Sequence, residues 1–230
     1  MPKHLAIVPA YNEAGAIADT VAEIHRHAPA FDVVVVDDGS TDGTGDLAEE
    51  WSRGRDGVVV LHQANRGKGA ALRAGIPHLD GEIAVIQDAD LEYDPRDLPK
   101  LLAPLLEGVA DVVYGSRLRG GEPQRAHLFW HYAGNRFLSL LTNVLYNTTI
   151  SDMEVGYKAF RGDLIRSIDL VSDDFGFEPE VTAKILRRRD IRLYEIPISY
   201  YGRTYDEGKK ITWRDGVLAV GALLRFRFTS

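Results

Sequence analysis

Cysteine is absent from all 230 residues. That excludes a disulfide framework, a thiolate zinc site and a cysteine nucleophile, and nothing calls for an oxidising compartment. Long apolar runs are missing as well: none reaches the roughly 18 residues that cross a bilayer as a helix. The opening stretch from Met1 to Ala10 holds one short apolar run broken by Pro9, so it reads as a first strand rather than a signal peptide. A cytoplasmic protein is the expectation. No Gly-x-x-x-x-Gly-Lys-Ser/Thr is present and no Gly-x-Gly-x-x-Gly follows the first strand, which makes ATPase and dinucleotide-binding readings poor. Repeats, low-complexity tracts and a convincing interdomain linker are also lacking.

A surplus of positive charge is the next absence. The formal net charge is -7, and residues 1–100 carry nine Lys/Arg against eighteen Asp/Glu. An acidic first half disfavours a nucleic-acid binder, because phosphate affinity needs a cationic surface. Residues 181–230 reverse the balance, with eleven Lys/Arg against five Asp/Glu. Contact with anionic lipid or with one phosphate group therefore stays open for that segment. What remains is ordinary globular composition, 45% hydrophobic and 27% charged, in a chain long enough to hide on the order of 70% of its surface on folding.

Short β-branched runs alternate with longer amphipathic stretches. Strands are expected near His4–Val8, Asp32–Asp37, Gly57–Leu61, Glu82–Gln87 and Asp111–Gly115, with helices at about Glu13–Ala28, Asp42–Ser52, Gly67–Leu79 and Pro95–Leu106. Asp94 and Pro95 make a sound helix start. This alternation predicts an α/β fold with a mostly parallel sheet covered by helices on both faces. After the breaker Gly120-Gly121-Glu122-Pro123 the pattern changes. An apolar helix from about Arg125 to Tyr146, a strand Val155–Phe160, a helix Glu178–Arg188, a strand Arg192–Ile196 and an amphipathic tail Ile211–Phe228 follow.

In such sheets ligands bind beyond the carboxyl ends of the strands, so the polar residues there carry the chemistry. Val8-Pro9-Ala10-Tyr11-Asn12-Glu13 offers a ring and a carboxylate to a base and ribose. Asp37-Asp38 at the next strand end are adjacent carboxylates whose repulsion must be offset by donors or a ligand. Asn65-Arg66-Gly67-Lys68-Gly69 opens a helix with glycines and a lysine, a plausible anion site. Asp88-Ala89-Asp90-Leu91-Glu92 can grip a hard divalent cation that bridges a diphosphate.

Together, in this order and at these strand ends, the motifs resemble the family-2 glycosyltransferases, most closely the dolichol-phosphate-mannose-synthase-like branch that loads sugars onto polyprenyl phosphates. Gly115-Ser116-Arg117 and Asp152–Arg161 join the match, which covers nearly the whole chain. The resemblance implies a GT-A fold over residues 1–210, with residues 211–230 as an amphipathic helix packed on it or on the membrane surface. It also implies a GDP- or UDP-hexose donor, a divalent metal (magnesium or manganese), and inversion at the anomeric carbon. Carried over by motif, Pro9, Tyr11, Glu13 and Asp38 face the nucleoside, with Gly67 and Lys68 nearby and Ala89 between Asp88 and Asp90, which hold metal and diphosphate. Glu92 stands where related synthases often carry Gln and is a candidate third ligand.

Arg117, Arg136, Arg203 and Lys209 are the expected acceptor-phosphate residues. Arg203 and Lys209 match the branch's Arg with a Lys six residues on, although Gly208 is displaced from its usual place. A phosphate acceptor needs no general base, because its second pKa near ~6 leaves it largely dianionic at neutral pH. A hydroxyl of a soluble acceptor, the alternative, does need one, and Asp152, Glu178 and Glu180 are the candidates. A non-catalytic nucleotide-sugar binding module is the reading from a different class. Leu128, Phe129, Trp130, Phe137, Leu140 and Val144, with the apolar and basic residues of the tail, suit a membrane interface, so peripheral attachment is expected.

Overall fold

Four consecutive valines, Val33–Val36, are fully buried, which only a strand covered on both faces allows. They form the middle of β2 (Phe31–Asp37), paired in parallel with β1 (His4–Ala10) on one side and β3 (Val58–His62) on the other. The computed structural model describes residues 4–126, 128–203 and 213–229; Lys209 lies outside them. β4 (Ile83–Ile86), β5 (Val112–Ser116), β6 (Lys158–Arg161) and β7 (Leu193–Pro197) complete a seven-stranded sheet of order β3-β2-β1-β4-β6-β5-β7.

Six strands run one way and β6 runs against its neighbours β4 and β5. The reason lies in the connection. β5 ends at the carboxyl edge of the sheet, the chain passes through α5 (Phe129–Tyr146) and a loop on that same edge, and the next strand starts from there and runs back. The amino-terminal end of β6 is thereby delivered to the edge where a parallel strand would deliver its carboxyl end. α1 (Ile17–His27), α2 (Thr44–Ser52), α3 (Lys68–Gly75) and α4 (Leu98–Leu106) cover the sheet with α6 (Gly162–Arg166) and α7 (Phe177–Leu186). The expected single helices Gly67–Leu79 and Pro95–Leu106 each contain a 3-10 turn, at Ile76–His78 and Pro95–Asp97, where proline removes a helical N–H.

α5 divides its apolar residues between two environments. Leu138 and Tyr146 are buried with Met153, Ala183, Leu223 and Phe226 in a second core cluster, and the Tyr146 hydroxyl donates to the Leu223 carbonyl at 2.7 Å. α8 (Trp213–Phe228) packs here against α5 and α7. On the outer side of α5, Trp130, Phe137, Leu140 and Val144 are exposed, as are Val217, Leu218 and Phe228 on α8.

Asp111 fastens the far end of the sheet. Its carboxylate accepts from Arg192 N, Nε and Nη2 and from Arg161 Nη1, binding β5 to the strands on both sides. These hydrogen bonds, with Arg192 first, hold the carboxyl down at about 2 against its usual 3.8. A folded-state value below the unfolded one means that the contribution is whole above the unfolded pKa and is lost as pH falls through the folded one. Urea unfolding of the native protein and of Asp111→Asn should therefore differ most above pH 4, with the gap closing between pH 4 and pH 2; a gap independent of pH would refute this role.

Candidate active site

The loops after β1 and β2 are laced together. Asn12 N donates to Ser40 Oγ, Glu13 N to Thr44 Oγ1, Ala14 N to Asp42 Oδ2 and Thr41 N to Asn12 Oδ1, all between 2.8 and 3.0 Å. Asn12 sits at φ 54°, a left-handed conformation that Asn tolerates better than most residues. This lacing leaves the Tyr11 ring partly exposed at the mouth of a cavity of about 1730 Å³ lined also by Pro9, Glu13 and Asp38. Typical small-molecule pockets are roughly 300 to 1000 Å³, so this one has room for two substrates.

Asp38 is buried and accepts from Gln63 Nε2, Arg66 N and Gly67 N at 2.6 to 2.9 Å. The repulsion between Asp37 and Asp38 is thus offset separately, since Asp37 accepts from Ser40 N and pairs with His62. Gly67, at φ 99°, turns the chain into α3 against the Asp173 carbonyl, where a Cβ would collide. The Ala70 N–H donates to that same carbonyl at 3.0 Å. The anion already held at this helix start is the protein's own Asp38 carboxylate.

Lys68 reaches across the cavity floor, with its Nζ 2.8 Å from Asp88 Oδ1 and 2.9 Å from Glu178 Oε1. Burial opposes its charge, but the two carboxylates hold it well above the ordinary lysine value. Gly156 lies against this pair, and a Cβ there would meet both the Asp88 carboxylate and the Lys68 ammonium. Behind it Lys158 is wholly buried, donates to the Met153 and Val155 carbonyls and lies 4.7 Å from the centre of the Tyr114 ring. Burial pushes the Lys158 ammonium down and the Glu154 carboxyl up; Glu178 pushes Glu154 further the same way.

Asp90 ends a turn whose Leu91 is held at φ 56°, with Glu92 N donating to Asp90 Oδ1. Burial first, then Asp88 and Glu92, drive the Asp90 carboxyl upward. Arg203 meets this demand for positive charge: Nη2 donates to Asp90 at 2.7 Å, Nη1 and Nη2 to Glu13, and its backbone N to Glu92. Glu92 also accepts from the Tyr200 hydroxyl at 2.7 Å. Among the described residues no three carboxylate or imidazole side chains converge to hold a metal unaided. Asp88 and Asp90 nevertheless fit a divalent ion that takes its remaining ligands from a diphosphate, being hard oxygen donors that line one cavity.

Arg117 follows β5 and lines the same cavity. Its backbone N and Nε donate to Asp152 Oδ2 at 2.9 and 2.8 Å, and Nη2 to Oδ1 at 2.7 Å. Asn135 Nδ2 adds a further bond to Asp152. Burial raises the Asp152 carboxyl, but Arg117 and Asn135 outweigh it and keep the group ionised. Asp152 is fully buried and orients Arg117. Glu180, also fully buried, accepts from the N–H groups of Val171 and Ser172 and pairs with Lys184.

Of the residues singled out from sequence, those of the donor set line one cavity with Glu92, Arg117, Glu178 and Arg203. Arg136 is exposed on α5 and outside the lining, whereas Arg125 lines the cavity with Nη1 donating to the Gly202 carbonyl. Glu154, Tyr93 and Asn135 are lining residues that sequence reasoning passed over. Glu154 stands in the run Asp152–Arg161, and a carboxylate four residues before a lysine inside an apolar strand is the signal that marks it.

A mostly parallel sheet with paired carboxylates beyond its strand ends, in one cavity with an arginine anchored by a buried aspartate, is the frame of a glycosyltransferase of the GT-A fold. The chain belongs to glycosyl transferase family 2, whose model matches residues 5–168. The undecaprenyl-phosphate mannosyltransferase of Micrococcus luteus is 34% identical in an alignment of 218 positions that covers 89% of this chain and 86% of that protein. The polyprenol monophosphomannose synthase of Mycolicibacterium smegmatis is 31% identical over 207 residues, covering 86% of this chain and 77% of the relative. Among solved structures, glucosyl-3-phosphoglycerate synthase from Mycobacterium tuberculosis, in complex with Mn2+, UDP and phosphoglyceric acid, superposes with a TM-score of 0.77 at 20% identity. That match takes in 100% of this chain and 80% of that one and is a likeness of fold.

Removing one partner of a buried ion pair strands the other, at a cost of about 3 to 5 kcal/mol. Asp152→Ala should lose stability of this order in urea unfolding and Asp152→Asn less; an alanine variant as stable as the native protein would remove Asp152 as the anchor of Arg117.

Proposed function

We propose that this glycosyltransferase moves a hexose from a GDP- or UDP-sugar to a polyprenyl phosphate, with inversion and with a divalent cation, while attached peripherally to the cytoplasmic face of a membrane. The observation that carries the reading is Arg117, a guanidinium oriented by Asp152 and lining the same cavity as the Asp88 and Asp90 carboxylates. Arginine held in this way suits bidentate phosphate contact. The names of the two curated relatives point to the same acceptor class, and Mn2+ beside UDP in the structural neighbour favours a metal.

Each residue then has a task. Pro9, Tyr11, Glu13 and Asp38 hold the nucleoside, and Gly67 brings the chain close to it. Asp88 and Asp90 hold the cation, which when bound would neutralise charge on the departing diphosphate. Lys68 keeps Asp88 in place and adds a fixed positive charge at that end. Arg117 and Arg203, joined in this reading by Lys209, receive the acceptor phosphate. One of its oxygens bonds to the anomeric carbon as the bond to the diphosphate breaks on the opposite face, and no proton needs removal. This agrees with Asp152 and Glu180 being committed to internal donors.

The exposed face of α5 supports the lipid part. Trp130 is 80% exposed and Val144 73%, a row of apolar side chains beside the cavity mouth of the kind that enters a bilayer interface. Among the described residues no helix is long and apolar enough to cross a membrane.

Incubation with a short-chain polyprenyl phosphate, magnesium or manganese and a panel of nucleotide sugars should give a glycosyl phospholipid by mass spectrometry. The product should vanish with chelator, return with added metal and fall at least a hundredfold in Asp90→Ala. Donor binding without lipid product would exclude the acceptor class and turn attention to hydroxyl acceptors.

A further inference from the structure

Two carboxylate oxygens in the cavity wall have no donor. Glu154 Oε1 and Glu178 Oε2 are both shielded from water and accept no hydrogen bond among the described residues. Leaving such an acceptor unmet is unfavourable, because it has given up water without gaining a donor. Both side chains line the cavity, and a turn of the Glu154 carboxyl about its broad terminal torsion brings the unmet oxygen to the lumen, where a donor can reach it. Lys68 already pairs with Glu178 through its other oxygen, and the Lys158 ammonium is taken up by the Met153 and Val155 carbonyls while still acting on Glu154 through space.

The position of Glu154 narrows what supplies the donor. Its carboxyl is within electrostatic range of Glu178, Lys158, Arg117 and Asp152. Gly156, two residues on, abuts Asp88 and Lys68. Glu154 and these groups, Lys158 and Asp152 apart, line one cavity. In the reading given above the transferred sugar has to approach both the Asp88 end and Arg117, because the bond that breaks and the bond that forms share its anomeric carbon. A neutral sugar carries hydroxyl donors and no charge.

We infer that Glu154, with Glu178 beside it, accepts hydrogen bonds from hydroxyls of the transferred hexose and so reads the sugar rather than the nucleotide. The inference rests on the nucleotide-sugar reading given above and deepens it. Glu154 is a sugar-contacting residue here, and it takes no proton from the acceptor.

Calorimetric titration in the presence of magnesium separates the parts. The native protein, Glu154→Ala and Glu154→Gln are each titrated with GDP-mannose and GDP, and with UDP-glucose and UDP. For the sugar nucleotide that the native protein binds, the ratio of its Kd to that of the parent diphosphate should rise about tenfold in Glu154→Ala, one lost hydrogen bond. Diphosphate affinity should stay within twofold, which also reports that the variant is folded. Glu154→Gln keeps the shape and one acceptor oxygen and should show a smaller rise in the same direction; it carries the test if the alanine variant does not fold. An unchanged ratio in both variants overturns the inference alone. An unchanged ratio with turnover to glycosyl phospholipid collapsing a hundredfold overturns it in favour of a proton-accepting role. A native protein that binds none of the four nucleotides overturns the donor reading and this inference with it.

Discussion

One buried ammonium joins the two halves of the cleft. Lys68, at the start of α3, stands between Asp88 beyond β4 and Glu178 at the start of α7. It thus links the donor-side elements, which the first hundred residues build, to an element nearly a hundred residues downstream. Without it two carboxylates would face each other in a water-poor space, where like charges are far more costly than at the surface. Gly156 belongs to the same constraint, because only a residue without a side chain lets the β6 approach pass so close to the pair.

The antiparallel strand is what brings these groups into one place. A parallel β6 would put its first residues at the floor of the domain and the loop holding Asp152 and Glu154 with them. Running back from the carboxyl edge, it sets Lys158 opposite Ile86 of β4 and Tyr114 of β5 and hangs its leading loop over the cavity. The buried cation over Tyr114 and the fixed Asp152 under Arg117 are consequences of that direction. Such polar groups in a core are tolerated only when partnered, and the partners here come from carbonyls, Asn135 and the backbone of Arg117.

Strand ends were the legible part of this chain. β-branched runs of four or five residues with polar residues just beyond them leave little freedom in a doubly covered sheet, so Asp38, Asp88, Asp90 and Arg117 could be placed before any coordinates. The run Lys158–Arg161 gives no direction by itself, since a four-residue strand with a charge at each end fits either sense. Nor does a sequence say which carboxylate an arginine will take. Asp152 looked as free as Glu154, yet one is enclosed by four hydrogen bonds and the other has an oxygen with none. The apolar helix was equally opaque: Leu138 and Leu140 are two residues apart, and the helical turn sends one into the second core cluster and the other to the surface.

The lopsided charge of the chain has a structural expression in these pairings. Carboxylates collect at the ends of β1, β2 and β4, the edge on which the proposed cation and diphosphate would sit, and the strands that carry them come early in the sequence. Asp37, Asp38 and Asp88 are met by groups from residues 40–68, whereas Glu13, Asp90 and Glu92 take Arg203 from late in the chain. Arg203 reaches Glu13 and Asp90 across 190 and 113 positions. Where the sign is reversed, Arg66 and Arg73 reach forward to Asp173. Arg203 thus ties the acidic edge built by the first hundred residues to the last hundred, and the cavity is complete only when the chain has folded far enough to bring that residue back over Glu13 and Asp90.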